Sequence, residues 1–584
     1  MKTRFSTIKP KIFHFNLSII LIAILVSACH EQPDPVVVTQ ELTPTSETII
    51  TPRNPPPKPT EIATPQPISL FLSYNLPEKS IDFEALGDVV FSDDPAASLW
   101  FGPEFEAPPG DILYRSNWIF ALAAPFPTLV DNIILSDLQA YWLGTPQGEL
   151  KVVTKLYVPE TLAQALEGEW GPTDLALIER YQEPFLNEML WESGAWAILP
   201  FESLSPKLKV ISVGGESPLL KDFKADTYPL VVEFHLVANQ HAITQIQDND
   251  LTTFIQAIRP SNRNPENMTT LIMTGVTALV RGIAYRMELY GVRYPGEEIR
   301  DWLVEADLTH ISNEVSFYED CPYPDPSSRV LLFCSDPKYI DLLDYVGADI
   351  IELTGNHNND ALYMYGDDAV PFTLNLYETY GMSYFGGGRN LAAAKSPLLV
   401  THNGNRLAFI GCNAFGPDFA WATEEAGGAA PCEDYQWMAD EISRLRDEGY
   451  LPIATFQYYE DYYDFAAEHH IRDFGLVAEA GAVIVNGSQA HRPKAMDFKY
   501  DAFIDYGLGN LFFDQKWVID MYGNVIHQTS WEIIQRHTFY EGRHLSTELL
   551  TAILEDFAQP RPMTIEERQL FLSELFTASG WISR

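Results

Sequence analysis

Residues 345–360 read YVGADIIELTGNHNND, and this stretch decides the fold. The apolar run 345–353 predicts a buried strand, and residues 354–360 predict the tight turn that follows it. The turn places Asn356 beside His357, and both an amide oxygen and a neutral imidazole can bind metal ions. Open α/β folds bind ligands at the carboxyl ends of their strands, so this turn marks a candidate site. The alternative is an Asn-rich turn with a capping role only.

Other segments of the chain show the same pattern, in which an apolar run ends in polar residues. They are residues 270–275 with Arg281 beyond them, 306–314 ending in Asn313 and Glu314, and 482–487 leading to Gln489 and His491. Residues 398–410 predict a hairpin that turns at Asn403-Gly404. Because strand ends in such folds point their loops to one side, five side chains are predicted to meet in one pocket: Asn313, Glu314, Asn356, His357 and His491.

In their order these segments resemble the CapA family, which is named for a poly-γ-glutamate capsule protein. The resemblance covers residues 265–525 and implies a calcineurin-like metallophosphoesterase fold, an α/β sandwich. It also implies a role in the synthesis or export of an extracellular polymer such as poly-γ-glutamate. The alternative is a surface receptor that binds a solute or polymer without catalysis.

The chain departs from the family pattern at several ligand positions. The Gly-Asp of the family is Gly275-Val276 here, and its Asn-Leu-Glu is Asn313-Glu314-Val315, which shifts the carboxylate by one place. Two family histidines become Gln457 and Gln489. A two-metal hydrolytic site needs anionic and imidazole ligands around both ions, and an amide oxygen binds transition metals more weakly than imidazole does.

The resemblance therefore implies a reduced site. The metal ligands that remain are Asn313, Glu314, Asn356, His357 and His491, and the pocket also includes Asp360, Asp461, Gln457 and Gln489. His357 and Glu314 are the candidate catalytic residues. Three states stay open: a dinuclear centre, one weakly bound divalent ion (Mn or Zn), or a polar pocket without metal.

Residues 68–250 predict a second, smaller α/β domain. Its expected strands are 118–125, 196–201 and 208–213, and a helix is expected from Ser136. In element order this region resembles the type 2 periplasmic substrate-binding fold, although no ligand residue carries over. The alternative is a generic α/β domain with a structural role.

The N-terminus predicts export. Basic residues precede the apolar run 13–26, and Val26-Ser27-Ala28-Cys29 resembles the lipobox of bacterial lipoproteins. Residues 1–28 are therefore predicted to be a signal peptide, with lipid on Cys29. The alternatives are an uncleaved anchor or an ordinary signal peptide. Residues 29–67 are rich in Pro and Thr and predict a tether that holds the globular part away from the membrane, while the lipid anchors the protein in the cell envelope.

The remaining cysteines and the charge agree with an extracytoplasmic location. Local pairing would join Cys321 to Cys334 and Cys412 to Cys432, although three connectivities are possible and a metal site is the alternative. The chain has 38 Lys and Arg against 80 Asp and Glu, a net charge of -42, which makes nucleic acid an unsuitable partner. The expected partners are the membrane, through the lipid, and an extracellular polymer or small solute.

Residues 526–584 predict a C-terminal packing extension. Residues 529–540 are expected to form a strand. Helices are expected to begin at Ser546 and at Thr564, because each is a Ser or Thr cap before a helix-forming run.

Overall fold

A computed structural model describes residues 69–582 except 87–88, 183–186, 240–247 and 521, and gives no side chains for 248–250. The described residues belong to one compact unit, Pro65–Arg584. The predicted signal peptide, Cys29 and the tether 29–67 lie outside the described residues. No helix in the described part of the chain has the length and apolar character needed to cross a membrane.

The described residues of the N-terminal domain form ten strands and four α-helices in a mixed α/β arrangement. Its sheet has the order β2-β1-β3-β10-β4-β8-β6-β7, with β9 and then β5 branching from β4. Bridges from Ile258 to Ile81 and from Ser261 to Asn117 extend this domain past residue 250. The elements are β1 Ser69–Leu72, β2 Val90–Phe91, β3 Leu99–Pro103, β4 Asp111–Pro125, β5 Asn132–Ile133, α1 Leu135–Trp142, β6 Leu156–Pro159, α2 Glu160–Trp170, β7 Ile178–Tyr181, α3 Glu188–Ser193, β8 Trp196–Pro200, β9 Leu208–Val213, β10 Val231–Ala238 and α4 Asp248–Ala257.

The long strand β4 connects the two halves of this domain. Its first part pairs with β10, and its second part pairs with β8 and β9. The first part is partly exposed and the second is almost wholly buried, which is why only 118–125 is recognisable as a strand from hydrophobicity.

The C-terminal domain begins with a sheet of parallel strands. β11, β12, β13 and β14 lie side by side in parallel, and helices cover their outer face. The elements are β11 Met268–Thr277, α5 Arg281–Tyr290, α6 Arg300–Val304, β12 Leu308–Asn313, α7 Ile340–Tyr345, β13 Ile350–Glu352, α8 Asp360–Tyr365, α9 Val370–Thr379, β14 Ser383–Phe385 and β15 Gly387–Gly388.

The strand predicted over residues 345–353 is shorter than expected. Tyr345 ends helix α7, and Gly347 follows it with a φ of 75°, so that β13 covers only Ile350–Glu352. Glycine in this conformation is the common C-terminal stop of a helix, and here it interrupts the apolar run.

A second sheet, of order β16-β17-β19-β20-β22-β21, faces the first. The predicted hairpin is confirmed, since β16 and β17 pair antiparallel around Asn403-Gly404. The elements are α10 Leu391–Lys395, β16 Leu398–His402, β17 Asn405–Asn413, β18 Gly428–Ala429, α11 Gln436–Asp447, β19 Leu451–Gln457, α12 Glu468–Glu479, β20 Ile484–Ser488, β21 Met496–Lys499 and β22 Ala502–Asp505.

The C-terminal residues complete the first sheet. β25 pairs antiparallel with β11, which gives the order β14-β13-β12-β11-β25-β26-β27. The elements are β23 Val518–Ile519, β24 Val525–Ile526, β25 Trp531–Tyr540, β26 Arg543–Glu555, β27 Gln559–Pro562 and α13 Ile565–Ala578. Strands β25 to β27, which lie in the predicted C-terminal extension, are therefore part of the sheet that carries β11.

The helix predicted from Ser546 is wrong. Residues 546–550 lie inside β26, which pairs with β25 along nearly its whole length. Cross-strand pairing and burial of alternate side chains outweigh the local capping signal. The helix predicted from Thr564 is confirmed, because Thr564 and Glu567 form a capping box at the start of α13.

The fold class predicted from sequence, an α/β sandwich preceded by a smaller α/β domain, is confirmed. Apolar side chains of both sheets meet between them at the strands' amino-terminal ends, among them Leu271, Met273, Ile350, Phe409 and Ile453. Helices α11 and α12 cover the outer face of the second sheet. Toward the carboxyl ends the interior becomes polar. Both predicted disulfides, Cys321–Cys334 and Cys412–Cys432, are present.

Candidate functional site

The parallel strands of both sheets end at one edge of the sandwich. β11 and β12 are in register at Thr277 and Asn313, and β19 and β20 are in register at Gln457 and Ser488. Glu314 directly follows β12, His357 follows β13, and His491 follows β20. The topology thus brings the predicted residues to one end of the domain, as open α/β folds require.

Glu314 is the centre of this site. Its side chain is 1% exposed, and neither carboxylate oxygen has a hydrogen-bond partner among the described residues. Burial raises the pKa of Glu314, and the nearby charges of His491 and His357 oppose that rise. Gly355 packs directly against it, since a Cβ at Gly355 would lie 2.3 Å from the Glu314 Cα. A buried carboxylate without partners is costly unless a ligand or a proton compensates it.

His357 is held by Asp360. The imidazole Nδ1 lies 2.7 Å from Asp360 Oδ2, and the same oxygen accepts the backbone N–H of Phe333 at 2.7 Å. Burial opposes a charge on the imidazole, but the hydrogen bond to Asp360 and the charge of Glu314 together raise the pKa of His357. Asp360 therefore fixes Nδ1 and leaves Nε2 for a ligand or a proton.

His491 is held in a similar way from the second sheet. Its Nδ1 lies 2.9 Å from Asn510 Oδ1, and its ring stacks on Phe513 at 4.7 Å. The backbone of His491 has a φ of 53°, which is uncommon for a residue with a Cβ. The turn after β20 thus aims this imidazole at a defined position.

The amide residues of the predicted pocket bond to one another. Gln457 Nε2 donates to Asn356 Oδ1 at 2.9 Å and also to Gln489 Oε1, while Ser488 Oγ donates to Gln457 Oε1 at 2.8 Å. The two glutamines that replace family histidines are thereby joined in a closed network. A metal ion could bind them only by breaking these bonds.

Asn313 is held in place through its amide nitrogen. Its Nδ2 donates to Tyr377 Oη at 2.6 Å and to the Val315 carbonyl at 3.0 Å, so it is committed to the core beneath helix α9. Its Oδ1, like both carboxylate oxygens of Glu314, is buried without a hydrogen-bond partner among the described residues.

The position of the missing family aspartate is apolar. Val276 is fully buried in a small cluster with Ala278, Val280, Val315, Phe333 and Phe513. Val276 stands where the family pattern has a carboxylate, and Gln457 and Gln489 stand where it has two imidazoles. The site therefore has three fewer strong metal ligands than the family pattern. The residues present therefore do not fit a dinuclear metal centre.

Arg281 also lies at this site, although the sequence alone assigns it no role. Its guanidinium lies between the rings of Phe333 and Phe513, at 4.9 and 5.5 Å, and pairs with Asp514 at 2.6 Å. Its Nε is buried without a partner among the described residues, and its charge acts on His357. One feature of the sequence could have indicated that Arg281 belongs to the site. It lies just beyond the first strand, where the family pattern has metal ligands.

Asp461 belongs to a different group. Its Oδ1 accepts from Lys494, and its Oδ2 lies 3.6 Å from His470 Nε2. Among the described residues, two groups of His, Cys, Asp or Glu have all their donor atoms within 4.8 Å of one another: Asp461, His469 and His470, and Glu104, Glu233 and His235. The donor atoms of Glu314, His357 and His491, which are predicted to share a pocket, do not all lie within 4.8 Å of one another.

Comparison with known proteins identifies the C-terminal domain. Residues 270–515 match the family described as bacterial capsule synthesis protein PGA_cap. The capsule biosynthesis protein CapA of Bacillus anthracis is 22% identical over 268 residues, which cover 45% of this chain and 64% of that relative. This chain thus spans about two thirds of the length of its curated relative. The predicted resemblance to the CapA family is confirmed for this domain.

Solved structures resemble each part of the chain more distantly. The NAD nucleotidase of Haemophilus influenzae is 9% identical, with 53% of this chain and 56% of that chain covered and a TM-score of 0.27. An ABC-type phosphate transport receptor from Vibrio cholerae is 13% identical, with 32% and 93% covered and a TM-score of 0.25.

Proposed function

Because residues 270–515 match the family described as bacterial capsule synthesis protein PGA_cap, we propose that this chain acts in the synthesis or export of an extracellular capsule polymer. Poly-γ-glutamate is the polymer we favour, and a lipid on Cys29 would hold the protein at the outer side of a membrane in the cell envelope. The observation that supports the proposal is the buried, unpartnered Glu314 carboxylate with His357 and His491 beside it, at the ligand-binding edge of the family domain.

The site is suited to holding and moving a proton. Glu314 has a raised pKa because it is buried, and His357 has a raised pKa through Asp360 and Glu314. Neighbouring titratable groups with shifted pKa values are typical of sites that perform general acid–base catalysis. His357 would carry the proton at Nε2, and Glu314 would hold the imidazole in its charged form.

Arg281 is suited to a polymer that carries carboxylates. An acidic polymer is repelled by a protein of net charge -42 unless a local cation receives it. The Arg281 guanidinium, held between Phe333 and Phe513, still has an unpartnered Nε. Guanidinium groups form strong charge-assisted hydrogen bonds to carboxylates, so the N–H groups of Arg281 that Asp514 does not use would position a free α-carboxylate of the polymer.

A single divalent ion, Mn or Zn, would find Glu314, His357 and His491 as strong donors among the described residues of this site, with Asn313 Oδ1 as a weaker one. The amides of Asn356, Gln457 and Gln489 are bonded to one another. The chemistry proposed for this site therefore rests on its own side chains.

The test is complementation of an encapsulated strain that lacks its own copy of this gene. We expect Glu314→Gln and His357→Gln to reduce surface polymer severely at equal protein abundance. The matched controls are Glu319→Gln and His527→Gln, because both residues are exposed. Normal polymer in both site variants would contradict the proposal.

A second candidate function is solute binding by the N-terminal domain. A cleft of about 740 Å³ is lined by Trp118, Tyr181, Glu160 and Glu202, among other residues. Trp118 is fully buried, and its indole N–H has no partner among the described residues, so a ligand carbonyl or hydroxyl could accept it. Thermal melting of the full chain with a panel of solutes would test this. A stabilising solute whose effect is lost in Trp118→Phe would support a receptor role.

A further inference from the structure

We propose that Asp461, His469 and His470 form a zinc site on the wall of an aromatic cleft, separate from the Glu314 site. The three residues come from the loop after β19 and from the first turn of α12, and their donor atoms all lie within 4.8 Å of one another. Gln457, four residues before Asp461, faces the other way and closes the amide network.

The geometry is close to that of a bound ion. Two donors on a tetrahedral zinc ion at about 2.0–2.2 Å lie about 3.4 Å apart, and Asp461 Oδ2 lies 3.6 Å from His470 Nε2. The imidazole rings of His469 and His470 are adjacent, with centroids 4.5 Å apart. All three donors therefore lie within about 1.4 Å of the separation that a shared ion requires.

The surroundings hold the ligands in place. His469 stacks on Tyr458 at 5.6 Å, and His470 lies 4.7 Å from the same ring. Tyr458 is itself fixed by a 2.5 Å hydrogen bond to Asp473. His470 is 1% exposed, and its Nδ1 is buried without a partner among the described residues. Nε2 is the nitrogen that faces Asp461 Oδ2 and would bind the ion, and burial among these rings fixes its position.

Lys494 orients Asp461 but also limits the affinity of the site. Its ammonium donates to Asp461 Oδ1 and, at 2.8 Å, to the Tyr463 carbonyl. Oδ2 is therefore the oxygen that remains for the ion. The positive charge nearby weakens binding of a cation, so the site favours zinc, which prefers imidazole ligands, over hard cations such as calcium.

The other group of three donors does not make an equivalent site. In the Glu104, Glu233 and His235 group, the Arg115 guanidinium donates to Glu233 and also lies 2.9 Å from His235 Nε2. An arginine already occupies the position between those donors, whereas Lys494 contacts only one oxygen of Asp461.

The zinc ion would keep an open position toward a cleft. Asp461 and His469 line a space of about 810 Å³ together with Trp421, Tyr435 and Tyr459. Three protein ligands with an open position are typical of zinc that binds water or a substrate. The ligand class that fits is a carboxylate-bearing molecule with an apolar or ring-shaped body, since the walls are aromatic and an anion would complete the coordination.

The test is zinc binding to the full chain, stripped with a chelator and measured by equilibrium dialysis and elemental analysis. We expect one zinc ion per chain and an affinity loss of about 100-fold or more in His469→Ala and in Asp461→Asn. His527→Ala, which changes an exposed histidine, should bind as the unaltered chain does. His357→Ala should also retain the ion.

A second measurement does not depend on any variant folding. Cobalt substituted into a four-coordinate histidine and carboxylate site absorbs visible light far more strongly than cobalt in water, and zinc should displace that signal. The proposal is overturned if zinc binding is unchanged in both ligand variants, if His357→Ala abolishes it, or if the cobalt spectrum stays that of the hydrated ion.

Discussion

Replacing Glu314 by glutamine should make the protein more stable while it removes function. The variant keeps the shape of the side chain and removes the charge. In the native chain both carboxylate oxygens lack partners, and burial raises the pKa of Glu314. The folded state therefore carries a carboxylate that would be better solvated in the unfolded chain.

The size of the gain follows from the neighbours of Glu314. An uncompensated buried charge costs about 3–5 kcal/mol. Here His491 and His357 compensate part of it. Glutamine still leaves an amide to be satisfied, at a cost of about 1–3 kcal/mol if no partner is found. We expect a net increase of about 1–2 kcal/mol in the free energy of unfolding at pH 8, within the range of single substitutions.

The pH dependence gives the sharper test. Because the folded pKa of Glu314 lies above its ordinary value of 4.5, the native chain loses stability as the pH rises from that value toward the folded pKa. Below the ordinary value both states are protonated, and the variant should have no advantage. The difference between variant and native chain should therefore be near zero at low pH, grow with pH and then level off.

The assay is urea unfolding across this pH range, followed by tryptophan fluorescence and extrapolated linearly. Glu319→Gln is the matched control and should show no such trend, because Glu319 is exposed. The pKa of His357, measured by NMR, should fall in Glu314→Gln, since Glu314 is one of the groups that raise it. A variant less stable than the native chain at pH 8 would refute the reasoning and show that the carboxylate has a partner.

Three further predictions concern other parts of the chain. Cys29→Ser should release the protein from the membrane fraction, and mass spectrometry of the native protein should find lipid on Cys29 as the first residue; an unmodified residue upstream would contradict this. The triple variant Val276→Asp, Gln457→His and Gln489→His should raise affinity for Mn or Zn, because carboxylate and imidazole bind these ions better than an aliphatic group or amides do; unchanged metal content by elemental analysis would show that these positions are misassigned. Asp505, whose pKa burial raises to about 7, should make the native chain lose stability as pH rises from about 4 to 7, and Asp505→Asn should remove that loss in urea unfolding by about 1–3 kcal/mol.

Local pattern was enough to predict the parallel strands and the edge at which the site lies. One apolar run ends in Asn313-Glu314, and another is followed by Asn356-His357. Each run predicts both a strand and the polar residues at its carboxyl end. The boundaries of the elements were predicted less accurately, because Gly347 follows the end of helix α7 within an apolar run that is typical of a strand. The helix expected at Ser546 failed for a related reason, because the pairing of β26 with β25 is decided by partners and not by the local sequence.

The composition of the site could be predicted only in part. Glu314, His357 and His491 were identified from their positions after strands. The commitment of Asn313 to Tyr377, the closed amide network of Gln457 and the stacking of Arg281 depend on contacts between distant segments. Phe333 and Phe513 lie in loops with no periodicity, so nothing local indicated that they enclose a guanidinium.

The pairing of β25 with β11 has a consequence for how this protein is made. β11 lies in the middle of its sheet, yet its antiparallel neighbour is synthesised more than 250 residues later. A chain that is still being synthesised therefore exposes the hydrogen-bonding edge of β11 until the last strands are made. Unpaired strand edges invite pairing with other chains. A product cut short at residue 525 would expose that edge permanently, and quality-control proteases would be expected to clear it.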